Sequence, residues 1–465
     1  MQFEWLWLFM PTMLILLYTP QMVVGIFKFG DLPAYTLAGV IILGLVLYLL
    51  AYGSLSCCKA EKFKSIARLT KIELPSEYVV LTISICYFAV IAYALFTSEK
   101  VAIWEALSGT SVDAIASARE ALFKNRLGWE KSLVYVNAIF STSLMPFSLA
   151  ICYIEKKSYR HVILVMFALS LLPSLEKVLI LKALLPLIIL GFNGYFPRRR
   201  VLQMAAGAIL LIAGAFFFSK MGKTDYFSQN KSTISILQGQ QAKITMRMKS
   251  EQEIFEKGRE KMTSAEIQRV NEVNGEEKII YKTQKNIIQK QLDYYIWVET
   301  YLLKYNIFGS GQLQYVFNRV FWIPYITAYD WLGYFYEKLE GKYLLGKTSS
   351  LLAVIMAEDK FPMELEVFKY QFGAGGPQTA AANATFLVDA FVNFGWFGVA
   401  IYAGLFAFLT WIVVIQANPA MQACYYYFAL QASMGGLSGV LVSNGMILLI
   451  FIAFFVKPKP RKIYI

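Results

Sequence analysis

Thr36-Leu-Ala-Gly-Val-Ile-Ile-Leu-Gly-Leu-Val-Leu-Tyr-Leu-Leu-Ala51 contains no charged residue and lies inside a longer apolar run over about 33–53. As a helix, that run crosses a hydrocarbon core about 30 Å thick. Working outward, the same character returns at 201–218 and 399–415, and short basic loops separate the runs. One polar stretch, about 220–379, interrupts the alternation. A polar stretch of that size cannot sit among lipid tails, so it reads as a large domain on one side of a bilayer.

Composition agrees. Of 465 residues, 57% are hydrophobic and only 16% charged, against about 25% charged in soluble proteins. The expected class is an all-α, polytopic membrane protein. The apolar opening 3–18 has no basic leader and no small-residue cleavage site, so it reads as a first membrane helix and not as a removed signal. The net charge of +13 is explained by basic anchors in cytoplasmic loops, without a nucleic-acid partner. The five cysteines (57, 58, 86, 152 and 424) show neither a disulfide framework nor zinc spacing, and the single His161 cannot make a histidine metal site.

About ten membrane helices are expected, near 4–27, 33–53, 77–97, 133–154, 161–174, 175–193, 201–219, 395–416, 420–434 and 436–456. The segment 380–394 is apolar but too short to span; it is either a re-entrant piece or a turn into the next helix. Basic residues cluster at Lys59–Lys71, Lys156–Arg160, Arg198–Arg200 and Lys457–Lys462. All four clusters fall on one side if each helix crosses once. The positive-inside rule then puts both termini in the cytoplasm and 98–131 and 220–394 outside. The resulting organisation is a transmembrane bundle over 1–219, an external domain over 220–394 between helices seven and eight, and C-terminal helices with a basic tail over 395–465.

Within the external domain, 224–291 is rich in Lys, Glu and Gln, with opposite charges at helical spacing, and reads as a solvated helix. From 292 to 394 the chain turns aromatic, with Trp297, Trp322, Tyr325, Tyr329 and Trp331 among others. Such rings suit either a membrane–water boundary or stacking on sugars.

Ionisable residues within or at the ends of membrane helices are costly and point to function. Lys177 opens the sixth helix on the outer side, and Lys182 lies about 7 Å deeper at the usual helical rise. Lys182 is either a snorkelling anchor or part of an anion site. Glu176 can pair with either lysine. The first external loop reads as a short helix over 111–123 carrying Asp113, Arg119 and Glu120, followed by Lys124 and Arg126. Arg319 stands in Phe317-Asn-Arg-Val-Phe-Trp-Ile-Pro-Tyr325, where apolar surroundings strengthen the attraction of a guanidinium for phosphate. Arg119, Lys177, Lys182 and Arg319 together are expected to form an outward-facing anion site, and a lipid-linked diphosphate is the anion found at such a surface. There is no phosphate-binding glycine loop, no Asp-x-Asp metal motif and no Ser–His–Asp set.

The stretch Asn383-Ala-Thr-Phe-Leu-Val-Asp-Ala-Phe-Val-Asn-Phe-Gly-Trp-Phe-Gly398 resembles the C-terminal signature of O-antigen and capsule repeat-unit polymerases of the Wzy type. Ala118-Arg-Glu-Ala-Leu-Phe-Lys-Asn-Arg-Leu-Gly128 resembles their external arginine segment, and Ser174-Leu-Glu-Lys-Val-Leu-Ile takes the place of their Ser-x-Arg. The stretch from Arg319 to Pro324 is similar to their aromatic-proline segment. The chain departs from the family in having lysine at 177 and in carrying the insert 224–291.

The resemblance implies a GT-C-like, metal-independent membrane glycosyltransferase without a cofactor. Such an enzyme polymerises undecaprenyl-diphosphate-linked oligosaccharides at the periplasmic face of a bacterial inner membrane. A chain-length regulator and a flippase are its expected partners. Arg119 and Arg319 would stabilise the departing diphosphate, and Asp389 and Glu120 are the candidate bases, although Asp389 also suits a helix cap. Lys177, Lys182, Arg126, Asn383 and Tyr325 complete the expected substrate-binding set.

Three alternatives stand beside this reading. An O-antigen ligase shares the architecture but is expected to carry an external histidine, and His161 falls on the cytoplasmic side. A peptidoglycan polymerase of the shape–division type lacks its loop motifs here. A flippase or ion-coupled carrier is expected to show paired halves and broken helices with buried charges.

Overall fold

Long runs of Leu, Ile, Val and Phe leave the backbone no water to bond to, so each closes its hydrogen bonds internally as a helix. In the computed structural model that outcome is general, and no strand occurs among the described residues. The structure describes residues 3, 5–57, 74–108, 110, 112–174, 179–197, 199, 203, 206–207, 226–259, 281–289, 291–292, 304, 307–308, 314, 317–372 and 381–459. Lys177, the basic loop 58–73 and most of the expected seventh helix at 201–219 lie outside them.

The N-terminal helices are α1 (Leu6–Phe29), α2 (Leu32–Cys57), α3 (Ser76–Thr97), the short α4 (Ala102–Leu107) and α5 (Val112–Phe123). After them comes α6 (Gly128–Ile154), which carries a π-helical turn at Phe140–Leu144. Next are α7 (Arg160–Leu171), a 3-10 turn at Leu172–Ser174, and α8 (Leu179–Phe192). The polar α9 (Tyr226–Arg259) follows. The C-terminal part contains α10 (Ile323–Glu337), α11 (Ser350–Ile355), α12 (Met363–Phe372), α13 (Phe386–Gln416), α14 (Pro419–Met434) and α15 (Met446–Phe455).

Among the described residues five helices are long and apolar enough to cross a membrane: α1, α2, α3, α6 and α13. The chain is therefore a helical protein of the membrane class. The expected fifth, sixth and tenth spans form the shorter helices α7, α8 and α15. Gly435 ends α14 in extended backbone, so its 16 residues reach about 24 Å, short of a full core.

Two units make up the chain, one of residues 1–222, 320–367 and 379–465, the other of 223–319 and 368–378. The sequence groups all of 220–394 as one external domain; the structure divides that stretch. Of the aromatic segment, 320–367 goes to the first unit, where Trp322, Tyr325, Trp331 and Phe335 are buried and α10 packs on α1 and α2. Tyr329 Oη donates to Asp31 Oδ2 at 2.5 Å, and Thr36 Oγ1 bonds Tyr336 Oη at 3.0 Å. In the second unit 226–259 of the Lys/Glu-rich stretch form a helix, α9, whose Gln241 Nε2 donates to Gln289 Oε1 at 2.6 Å.

At the centre of the first unit, α14 packs against α1, α6, α8 and α13. Tyr18 Oη of α1 donates to Ser433 O at 2.9 Å, and Asn418 caps α14 by accepting from Ala420 N and Met421 N. Along α2, small residues let helices approach closely, the usual basis of helix association in lipid. Gly39 receives the Trp396 ring and Gly44 receives Leu387.

Candidate functional site

Those two glycine contacts expose the main feature of the stretch 383–398. Residue 387 meets Gly44 and residue 396 meets Gly39, so the chain moves about 7 Å toward the start of α2 over this stretch. It then reverses, because Phe406 packs on Tyr48 at 6.4 Å between ring centroids. The Phe386 and Phe406 rings lie 5.4 Å apart, whereas one straight helix would separate them by about 30 Å. The reversal sits at Gly395, with φ 64° and ψ −151°, a region only glycine occupies readily. Gly398 lies against the Ala390 carbonyl, where a side chain has no room. Of the two readings of 380–394, the structure supports the re-entrant one: 386–394 is a half-helix doubled back on 396–416.

A half-helix ends with bare carbonyls, and inside an apolar bundle these need donors. The loop before α11 supplies them. Leu344 N donates to Val392 O at 3.1 Å and Leu345 N to Asn393 O at 3.0 Å. Gly346 N donates to Asn393 Oδ1 at 2.8 Å. With its oxygen so engaged, the Asn393 amide turns its Nδ2 toward Thr348 Oγ1 at 2.7 Å and Asp389 Oδ1 at 3.0 Å. Thr348 Oγ1 also donates to Asp389 Oδ1 at 2.8 Å. Asp389 is therefore no helix cap: Thr385 takes the cap position, and the carboxylate belongs to a buried polar network.

A second locus gathers around α5. It packs with α4 and α3 and on the turn Leu172–Ser174, from which the chain runs on toward Lys177 and Lys182. Arg119 of α5 is half-buried; it makes no hydrogen bond or ion pair among the described residues, and its Nε is buried without a partner. Glu120 beside it is also half-buried. Lys182 is half-buried at the start of α8 and has interactions of its own.

Arg126 differs. It is 7% exposed and donates to Leu122 O, Thr97 Oγ1 and Ala94 O at 2.9, 2.6 and 2.8 Å. It also pairs with Glu130 at 3.0 Å, and Glu130 in turn accepts from Tyr93 Oη. Its guanidinium ties α3 to the α5–α6 connection, which leaves little of it for a substrate.

The remaining expected residues scatter. Asn383 is exposed just ahead of the half-helix. Tyr325 is fully buried, with its hydroxyl against Gly25 and without a hydrogen bond, so it packs α10 onto α1. Arg319 is exposed and belongs to the second unit. Thr348 and Asn393 were not singled out from sequence. The four-residue spacing of Asp389 and Asn393 on one helix face was the available signal; Thr348, 41 residues from Asp389, offered none. The chain matches no family model, no curated protein and no solved structure.

Proposed function

We propose that this chain is a membrane glycosyltransferase that polymerises oligosaccharide repeat units carried on undecaprenyl diphosphate, with the GT-C-like architecture that such a reading implies. The observation that carries the reading is Arg119. A guanidinium without a partner among the described residues, its Nε already buried, is ready for a phosphate oxygen, and charge-assisted bonds of this kind are worth about 1.5–3 kcal/mol each. The helix bearing it packs on the turn that leads to Lys177 and Lys182, the other cations expected on the periplasmic side.

In the reaction, an acceptor sugar hydroxyl attacks the anomeric carbon of the donor glycan. The new C–O bond forms as the bond to the lipid diphosphate breaks, and the diphosphate departs with the electron pair. Arg119, Lys177 and Lys182 stabilise its growing charge. The hydroxyl proton passes to a carboxylate, and Glu120 is the one adjacent to Arg119. Asp389 is less suited, because one of its oxygens is already occupied by Thr348 and Asn393.

The test is Arg119→Ala in the native host with the surface glycan displayed on a gel. Loss of one such cation costs about 10²–10³ in rate, so the long-chain ladder should collapse to single capped repeats. An unchanged ladder, or loss of all glycan, sinks the reading. Arg319→Ala, read the same way, asks whether that exposed arginine is needed for chain growth.

One observation favours a second reading, an ion-coupled carrier: the break in α13 next to a buried carboxylate, the kind of feature carriers place at their sites. Uptake of a lipid-linked glycan by proteoliposomes, driven by an ion gradient and insensitive to Arg119→Ala, would favour it over polymerisation.

A further inference from the structure

The hydrogens of the Asp389 network all point one way. Gly346 N–H fixes the Asn393 amide; the amide Nδ2–H and the Thr348 hydroxyl then both aim at Asp389 Oδ1. This is a donor pattern for an ionised carboxylate, concentrated on one oxygen. Oδ2 receives nothing from the described residues, although the side chain is only 4% exposed. Oδ2 faces Gly436 in the connection between α14 and α15, where an added Cβ would stand 3.0 Å away. The glycine keeps open the one side of the carboxylate that the protein does not fill.

Among the described residues no basic side chain pairs with Asp389. Glu364 of α12 and Lys360 of the loop before it are the charged groups whose fields reach it, and Tyr402 of its own helix is the nearby phenol. The 435–445 connection contributes no ionisable group. A buried carboxylate without a counter-charge is unstable unless something cationic and small accompanies it.

We propose that Asp389, Thr348 and Asn393 at the re-entrant hairpin form a binding site for one monovalent cation, a proton or a sodium ion, which enters against Oδ2 past Gly436. The site gives the hairpin two charge states. With the cation bound, the half-helix carries no net charge; with it gone, a bare carboxylate is left in an apolar bundle. This inference does not rest on the polymerase reading, since an unchanged glycan ladder in Arg119→Ala would sink that reading and leave this one standing.

The experiment uses the full-length protein in lipid nanodiscs and an apolar carbodiimide, which couples to carboxyls only in their protonated form, with the modified residue located by mass spectrometry. Asp389 should be labelled at the acid end of a pH series, with labelling falling about tenfold per pH unit above its midpoint, the slope of a single proton. If replacing choline chloride by sodium chloride at fixed pH suppresses the labelling, sodium is the resident ion; if not, the proton is. Asp389→Asn should remove the adduct. Should that variant fail to accumulate, Gly436→Ala serves instead, because its methyl crowds Oδ2 and should cut labelling several-fold while the protein stays monodisperse. Labelling of Asp389 that is absent, or that does not change with pH, overturns the proposal. So does a Gly436→Ala protein labelled as well as the parent.

Discussion

Replacing Gly395 by alanine tests whether the chain doubles back within α13. At φ 64° and ψ −151°, an L-residue sits in a region that costs about 1–3 kcal/mol. The new methyl would also stand 2.9 Å from Tyr343 Oη and 3.0 Å from its Cζ. The Tyr343 ring cannot simply move aside, because it stacks on Phe335 at 5.4 Å and meets Phe391 edge-on at 6.3 Å. Overpacking of this kind costs a further 1–3 kcal/mol or so, for a loss of roughly 2–6 kcal/mol in all.

Gly404, in the same helix, has nothing within 4 Å of an added Cβ and no positive φ. Gly404→Ala should be neutral or gain up to about 1 kcal/mol. Unfolding in mixed micelles, followed by tryptophan fluorescence, compares the two variants. A cysteine pair at 386 and 406 supplies the geometric half of the test, since those rings lie 5.4 Å apart. If Gly395→Ala is as stable as Gly404→Ala and the cysteine pair does not cross-link, α13 is a continuous helix and the hairpin is refuted.

Arg126→Ala should lower stability by about 1–3 kcal/mol, because it leaves the Leu122 and Ala94 carbonyls and the Thr97 hydroxyl around a vacated buried site. Arg119→Ala removes no hydrogen bond among the described residues and should shift the same unfolding curve by less than about 1 kcal/mol. Equal losses for the two would mean that Arg119 is structural. Tyr325→Phe removes a buried hydroxyl that has no partner and should hold or raise stability, by about 1 kcal/mol at most. A clear loss on the same assay would show that the hydroxyl is bonded after all.

Much of the fold was legible because membrane helices are read from local composition. The runs at 4–27, 33–53, 77–97 and 133–154 became α1, α2, α3 and α6 within a few residues at most ends. The readings that changed all depended on partners distant in the chain. Trp322, Tyr325 and Trp331 looked like boundary aromatics until α1 and α2 closed over them. Arg126 looked as available as Arg119, since both stand in one basic stretch; only the fold brings Ala94 O and Thr97 to the first and, among the described residues, no hydrogen-bond partner to the second.

By itself the sequence determined that this chain is helical and membrane-like, because sixteen uncharged residues in a row at 36–51 can satisfy their backbone in lipid in no other way than a helix. The tertiary structure alone decided that 386–394 turns back at Gly395, and that Asp389 meets Thr348 and presents an open oxygen to Gly436. Hydropathy counts what a segment buries and is blind to direction. The turn is set by one backbone angle and by donors from a loop about forty-five residues upstream, and these come together only when the bundle packs.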